Sequence, residues 1–290
     1  MRETISIKLV KTLQKGKKNL SPEALRRIEN FVLSQRTEDD SFMNKSGMSD
    51  IYYTLFGWML SYVLGIRLNP EKMNAYLAAQ DMEQMDLIHY AACMRCRQIC
   101  NLMVRGKTRF LLRSFSSVDI KQLDQFADVP HNDPQSPYSH YIWLSLLEDT
   151  GHTIKDKEAV LQSLSRYQMS GGGYSNLSNS DVASTNATVA ALAVIGELDH
   201  YRMNAGVSYL QQLQEETGGF CAFKGSPLPD LLSTATSLFM LKCYGRTPAY
   251  SSGPFIEAHW LDTGGFSATI LEESSDVEYT FYGLLALGTV

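Results

Sequence analysis

Asp276 and Glu278 stand one residue apart near the end of the chain, in "EESSDVE", with Glu272 and Glu273 just before them. Closely spaced carboxylates of this kind can hold Mg²⁺ or work as an acid–base pair. The same residues also read as a helix-capping aspartate beside solvated glutamates. His140 is a second acid–base candidate, because imidazole changes charge near neutral pH. With His131 it flanks the turn-rich "NDPQSPYS", where a surface or hydrogen-bonded histidine fits equally well. His89, Cys93, Cys96 and Cys100 follow one helical stripe. A helix spreads that stripe over about 16 Å, so at most two neighbours could share an ion, and buried small side chains are the simpler reading. "SGGGYS" lacks the Lys-Ser/Thr of a phosphate loop, and no G-x-S-x-G elbow is present.

The elements that must position these residues come from an internal repeat. Asp50, Thr54 and Gly65 are spaced by 4 and 15 residues, as are Asp181, Thr185 and Gly196, and Asp230, Thr234 and Gly245. Asp276 and Thr280 begin another copy. Two weaker copies keep the spacing with other residues: Ser136, His140 and Gly151, and Asp86, Tyr90 and Asn101. Each copy opens with a potential N-cap and runs through an almost wholly apolar segment such as "LLSTATSLFMLKCY", and all but the copy at Asp276 close on glycine or asparagine. A helix apolar all round must be buried on more than one side.

Between these runs lie amphipathic segments with one wet face: "SPEALRRIENFVLSQ", "NPEKMNAYLAAQ", "IKDKEAVLQSLSRYQ" and "DHYRMNAGVSYLQQLQ". Strand signals are nearly absent. Outer and inner helices in alternation cannot each bury their own faces, and an open stack would expose the inner helices at both ends. Closure predicts an all-α fold, an α/α toroid of about six inner and six outer helices, forming one domain over residues 1–290. Its repeats are clearest over 155–290 and degenerate over 20–150. The glycine pairs in "LQEETGGFCAF" and its relatives are expected to end the outer helices, with Phe220 pinning the turn.

The pattern Q-x-x-x-G-G-F, a loop, D-x-x-x-T and an apolar helix resembles the repeat of protein prenyltransferase β subunits and squalene-type (terpene) cyclases. The resemblance implies a central cavity for an isoprenoid chain, with polar residues at its mouth handling a diphosphate or starting the chemistry. It implies that aromatics three and six residues past the repeat aspartate face that cavity, which nominates Tyr53, Phe56, Tyr279 and Tyr282. It places Asp50, Asp181 and Asp230 at the mouth, and offers Lys224 and Lys45 as phosphate contacts. A mouth so acidic would serve a diphosphate poorly without Mg²⁺. The family's zinc site, Asp-x-Cys with a histidine on another inner helix, is not matched: Tyr52, Ala183, Leu232 and Glu278 occupy the cysteine offset in the clear copies. The D-x-D-D acid of the cyclases is not matched either, "TEDD" being the nearest string. The reading is therefore a prenyltransferase- or cyclase-like protein, zinc-independent if it is an enzyme. Its partners would be an isoprenoid diphosphate or other apolar small molecule, and a helical α-type partner subunit is a further implication. The alternative is a non-catalytic toroid binding a lipid or a protein.

Bulk properties narrow the classes. A formal charge of −5 and a pI of about 5.7 offer no basic excess for nucleic acid. Lys8, Lys11, Lys15, Lys17 and Lys18 form one basic run, expected to be the solvated face of a first helix. No segment is long and apolar enough for a membrane span, and no secretory leader is visible. Five cysteines without a disulfide framework point to a reduced, cytoplasmic setting.

Overall fold

The structure, a computed structural model, describes residues 3–105, 136–149, 151, 154, 156–199 and 205–290. Among the described residues are α1 (Ile5–Lys18), α2 (Pro22–Ser34), α3 (Ile51–Leu64), α4 (Pro70–Ala78), α5 (Leu87–Arg105) and α6 (Pro137–Asp149). Then follow α7 (Lys157–Ser165), α8 (Thr185–Asp199), α9 (Ala205–Gln212), α10 (Leu231–Cys243), α11 (Gly253–Ala258) and α12 (Val277–Leu287). No strand occurs among them, only isolated bridges in the turns. His131 lies outside the described residues.

Six of these helices close a ring. α3, α5, α6, α8, α10 and α12 each pack on the next, and α12 packs back on α3. The described amphipathic helices lie outside: α2 on α3, α4 on α5, α7 on α8, α9 on α8 and α10, and α11 on α12. The fold is an α/α toroid. Closure explains how helices as apolar as α3 and α12 are accommodated: one face meets the outer ring, the flanks meet neighbours, and the last face meets the ring's centre.

The joint between an outer and an inner helix shows why the repeat keeps its residues. Asp230 caps α10, its Oδ1 accepting from the Ser233 N–H at 2.7 Å. Thr234 Oγ1 donates to the Asp230 carbonyl at 2.7 Å and accepts from the Phe220 N–H at 2.8 Å. One hydroxyl thus fastens the incoming loop to the first helical turn, and Phe220 beside it is wholly buried. Asp276, Thr280 and Phe266 repeat the device, with Oγ1 at 2.7 Å from the Asp276 carbonyl and 3.3 Å from the Phe266 nitrogen. At α3, Asp50 caps the helix and Thr54 Oγ1 accepts from the Phe42 N–H at 3.0 Å, but that hydroxyl donates to Tyr76 Oη at 3.5 Å instead. The rings of Phe42 and Phe266 lie where a Cβ would stand on Gly57 and Gly283, 2.1 and 2.4 Å away, so both inner helices need a residue without a side chain there.

Three expectations need correction. The copy assigned to Asp181, Thr185 and Gly196 is displaced by three residues. Ser184 Oγ accepts from Ala187 N–H at 3.3 Å, and Thr188 Oγ1 accepts from Tyr174 N–H at 2.9 Å, so Ser184 and Thr188 hold the joint. Asp181 is exposed in the preceding bend, and Gly196 lies inside α8. A chance Asp and Thr at the repeat spacing disguised the true pair. The glycine pair does not end the outer helix either: α9 stops at Gln212. Gly218, at φ +90°, instead closes a tight turn in which its N–H donates to Glu215 O and Glu215 N–H to Gly219 O. A Cβ there would also stand 2.1 Å from Ser251 O. Both weak copies are genuine, since Asp86 and Ser136 accept from the N–H groups of His89 and Ser139, at 2.9 and 3.2 Å.

The third correction concerns α1. Its lysines do not simply form a wet face. α1 packs on α12, α3 and α6, across the C-terminal end of the ring. Lys17 Nζ donates to the Val63 and Leu64 carbonyls at 3.2 and 2.8 Å, and Lys15 Nζ to Val290 O at 2.9 Å. Asn19 donates to Leu287 O at 2.7 Å, and Lys8 pairs with Glu197 at 2.9 Å. The Val63, Leu64 and Leu287 carbonyls are ones that a helix end leaves without intrahelical partners, and cations there complement the helix dipole.

Candidate functional site

The ring encloses a cavity of about 430 Å³, within the range of about 300–1,000 Å³ typical of ligand pockets. All six inner helices line it and α1 floors it. Counted from each N-cap with the corrected register, the lining positions are mainly the second, fifth, sixth and ninth. That stripe keeps facing the ring's axis because helical period places these positions on one side. The walls are mostly apolar or aromatic: Phe56 meets Phe281 at 5.1 Å and Tyr282 at 5.9 Å between ring centroids, and Tyr52 meets Phe56 at 5.0 Å. Tyr138 and Tyr141 of α6 face them from across the ring.

The throat is the second-position layer, where Tyr52, Tyr138, Asn186 and Glu278 fall. Tyr52 Oη donates to Glu278 Oε1 at 2.8 Å. Burial is the main cause that pushes the Glu278 carboxyl above its ordinary value, with Asp276 adding to it; the Tyr52 bond and Lys45 oppose. Burial likewise raises Tyr52, and it pushes Tyr138 up to about 12. Just outside, Lys45 Nζ lies 3.8 Å from both Glu272 and Asp276 carboxylates and 5.2 Å from the centre of the Tyr279 ring.

A closed ring of six parallel inner helices around an apolar cavity, with capping residues at one end, is one side of the comparison. The other is a family model described as the prenyltransferase alpha-alpha toroid domain, which matches residues 102–290. The chain belongs to this prenyltransferase toroid family. No curated protein matches it. The match begins near the end of α5, yet α3 and α5 lie ahead of that point and complete the same ring.

For this prenyltransferase-family toroid, the nominated residues divide by position. Phe56 and Tyr282 line the cavity. Tyr53 and Tyr279, at the third position, stand on the rim beside Tyr52 and Lys45 instead. Asp50, Asp230 and Asp276 are N-caps, each with an oxygen committed to backbone N–H groups. Asp181 and Lys224 lie exposed on the loops ahead of α8 and α10. His140 is buried, its Nδ1 3.0 Å from the Ser136 carbonyl, the bond that threonine makes in other copies. Of the three residues nominated for acid–base work, Glu278 is the one in the throat.

Among the described residues no group of three or more His, Cys, Asp and Glu is arranged to hold a metal ion. Mg²⁺ does not fit the Asp276 end, because Tyr279 N–H and Lys45 occupy that carboxylate. In the corrected register Asn186 takes the cysteine offset of its copy, and His89, at the histidine offset, is half-buried and 2.8 Å from Asp86 Oδ1. Cys93, Cys96 and Cys100 are buried, and burial holds the Cys96 thiol well above its ordinary value.

Sequence reasoning missed Tyr138, Tyr141 and Arg95, which all line the cavity. They sit at positions two, five and nine of the two weak copies. Trusting those copies would have found them.

Proposed function

We propose that this toroid, acting as one domain over residues 1–290, binds an isoprenoid or similarly sized apolar chain in its central cavity. Glu278, held by Tyr52 in the throat, is the group suited to exchange a proton with the exposed end of the chain. The enclosed, aromatic-lined cavity carries this reading: a ring built only as a scaffold would fill its centre with its own side chains. Native mass spectrometry with farnesyl and geranylgeranyl diphosphate, each with and without Mg²⁺, tests it. A one-to-one adduct is expected for the unmodified chain and is lost in Ala190→Trp, which fills the cavity from α8. No adduct with either compound under either condition ends the isoprenoid reading.

One observation favours the reading as a binding module. Leu177, Val182, Ile270 and Leu271 are 64, 52, 60 and 75% exposed on loops that lead into α8 and α12. Apolar tips around the mouth suit a partner subunit. The same spectra would report such a partner as an added mass in material purified from its native source.

A further inference from the structure

The ninth position of the inner helices supplies Met59, Arg95, Ala193, Phe239 and Leu285 to the cavity wall. Four of these are apolar and one is a guanidinium. A charge in such a wall is costly unless it is paired and hydrogen-bonded. Arg95 is only partly served. Its Nη2 donates to Ser145 Oγ. Asp149 Oδ2 lies 4.0 Å from Nε, beyond hydrogen-bonding distance, and Nε is buried with no hydrogen-bond partner. A dedicated arginine–carboxylate pair would close to two short parallel bonds. Here the Asp149 oxygens are instead engaged by α1, accepting from Ser6 Oγ at 2.6 Å and Thr4 Oγ1 at 3.2 Å. Tyr141 also shares a hydrogen bond with Arg95, and the partly exposed guanidinium lines the cavity with Asp149 as a loose rather than a two-bond partner.

The two ends of the cavity differ in charge. Glu278 and Asp276 stand at the mouth, whereas Arg95 stands seven residues deeper, about 10 Å along a helix axis. An anion is repelled by the first and attracted by the second. Asp149, 4.0 Å from Nε, already offsets part of the Arg95 charge, so the deep end suits one carboxylate, and a prenyl diphosphate would keep its head at the mouth.

We propose that the cavity takes an apolar chain ending in a carboxylate, with that carboxylate seated on Arg95 and the chain running back toward the mouth. This rests on the apolar-chain reading above, and the probes are chosen to separate the two. Farnesoic acid and farnesol share one chain and differ at its end. Their affinities are compared by calorimetry at pH 8, where the acid is ionised. The acid is expected to bind at least tenfold tighter than the alcohol. Arg95→Met should remove that preference by weakening the acid while leaving farnesol within about twofold, and Arg95→Lys should restore part of it. Equal affinities, or tighter binding of farnesol, overturn the carboxylate proposal and leave the cavity reading intact. An unchanged acid-to-alcohol ratio in Arg95→Met overturns it as well. Binding of neither probe to the unmodified chain sinks both readings. Should Arg95→Met lose farnesol too, the ratio for the unmodified chain and for Arg95→Lys still decides.

Discussion

The two ends of the inner ring are made from the same six helices, yet they carry opposite charge. At the mouth each helix starts on a polar cap, Asp50, Asp86, Ser136, Ser184, Asp230 or Asp276, which accepts from free backbone N–H groups. At the far end α1 brings Lys15 and Lys17 onto free carbonyls, and Lys242 donates to Gly288 O at 2.9 Å. Parallel helices in a closed ring add their dipoles, positive at one rim and negative at the other, and each rim has collected the complementary side chains. The lesson is that an acidic mouth arises here from helix capping. Its carboxylates were nominated as ligand contacts, but most of their oxygens already serve the fold. A ligand meets that charge as a field, while the cavity wall supplies the contacts.

The plugged end should be the more fragile. A Cβ on Gly16 would lie 2.0 Å from Leu284 O and 3.2 Å from Gly288 N, with backbone that cannot step aside. Gly16→Ala is therefore expected to cost about 3 kcal/mol, at the upper end for overpacking, read by urea denaturation. A loss under about 0.5 kcal/mol would show that α1 is not seated on the ring as described.

At the mouth, Thr234→Val keeps shape but removes one hydroxyl that both donates to Asp230 O and accepts from Phe220 N–H. Leaving a buried N–H unpaired costs about 1–3 kcal/mol, so about 2 kcal/mol is expected. Thr236→Val is the control, because its hydroxyl bonds only within α10, to Leu232 O and Ser233 O. Equal losses in the two variants would remove the joint from the account of the repeat.

The smallest effects should be the charged caps, and they sharpen the comparison by their salt response. Asp50→Ala is expected to lose about 1 kcal/mol with its two N–H bonds. Lys17→Met, at the opposite rim, should lose about 0.5 kcal/mol. Thermal melts at low salt and at about 1 M salt should show the two losses shrinking together, since both rims depend on screened helix-end charge. Loss at only one rim would break the symmetry drawn here.

Much of this was legible because a repeat multiplies weak evidence. One Asp and one Thr four residues apart mean little; several copies spaced alike, each before an apolar run, forced a ring of buried helices. The copy at Asp181 shows the limit of matching letters: Asp181 and Thr185 fit the template, but burial and hydrogen bonding chose Ser184 and Thr188. The candidate site was less legible. Glu278, Phe56 and Tyr282 could be nominated from their copies, whereas Arg95 lay in a copy whose landmarks had drifted.

By itself the sequence determined the class of fold, since nothing but closure can bury helices apolar on every side. It also determined where five of the six inner helices begin, because a cap is a local choice between a side-chain oxygen and a few N–H groups; at α8 a chance Asp181 hid the true cap, Ser184. Only the tertiary structure decided that α1 plugs the ring, which glycine is a joint and which a contact, and which face of each helix lines the cavity. Those outcomes depend on what stands opposite a residue, 145 positions away in the bond between Thr4 and Asp149, and no local pattern records the partner.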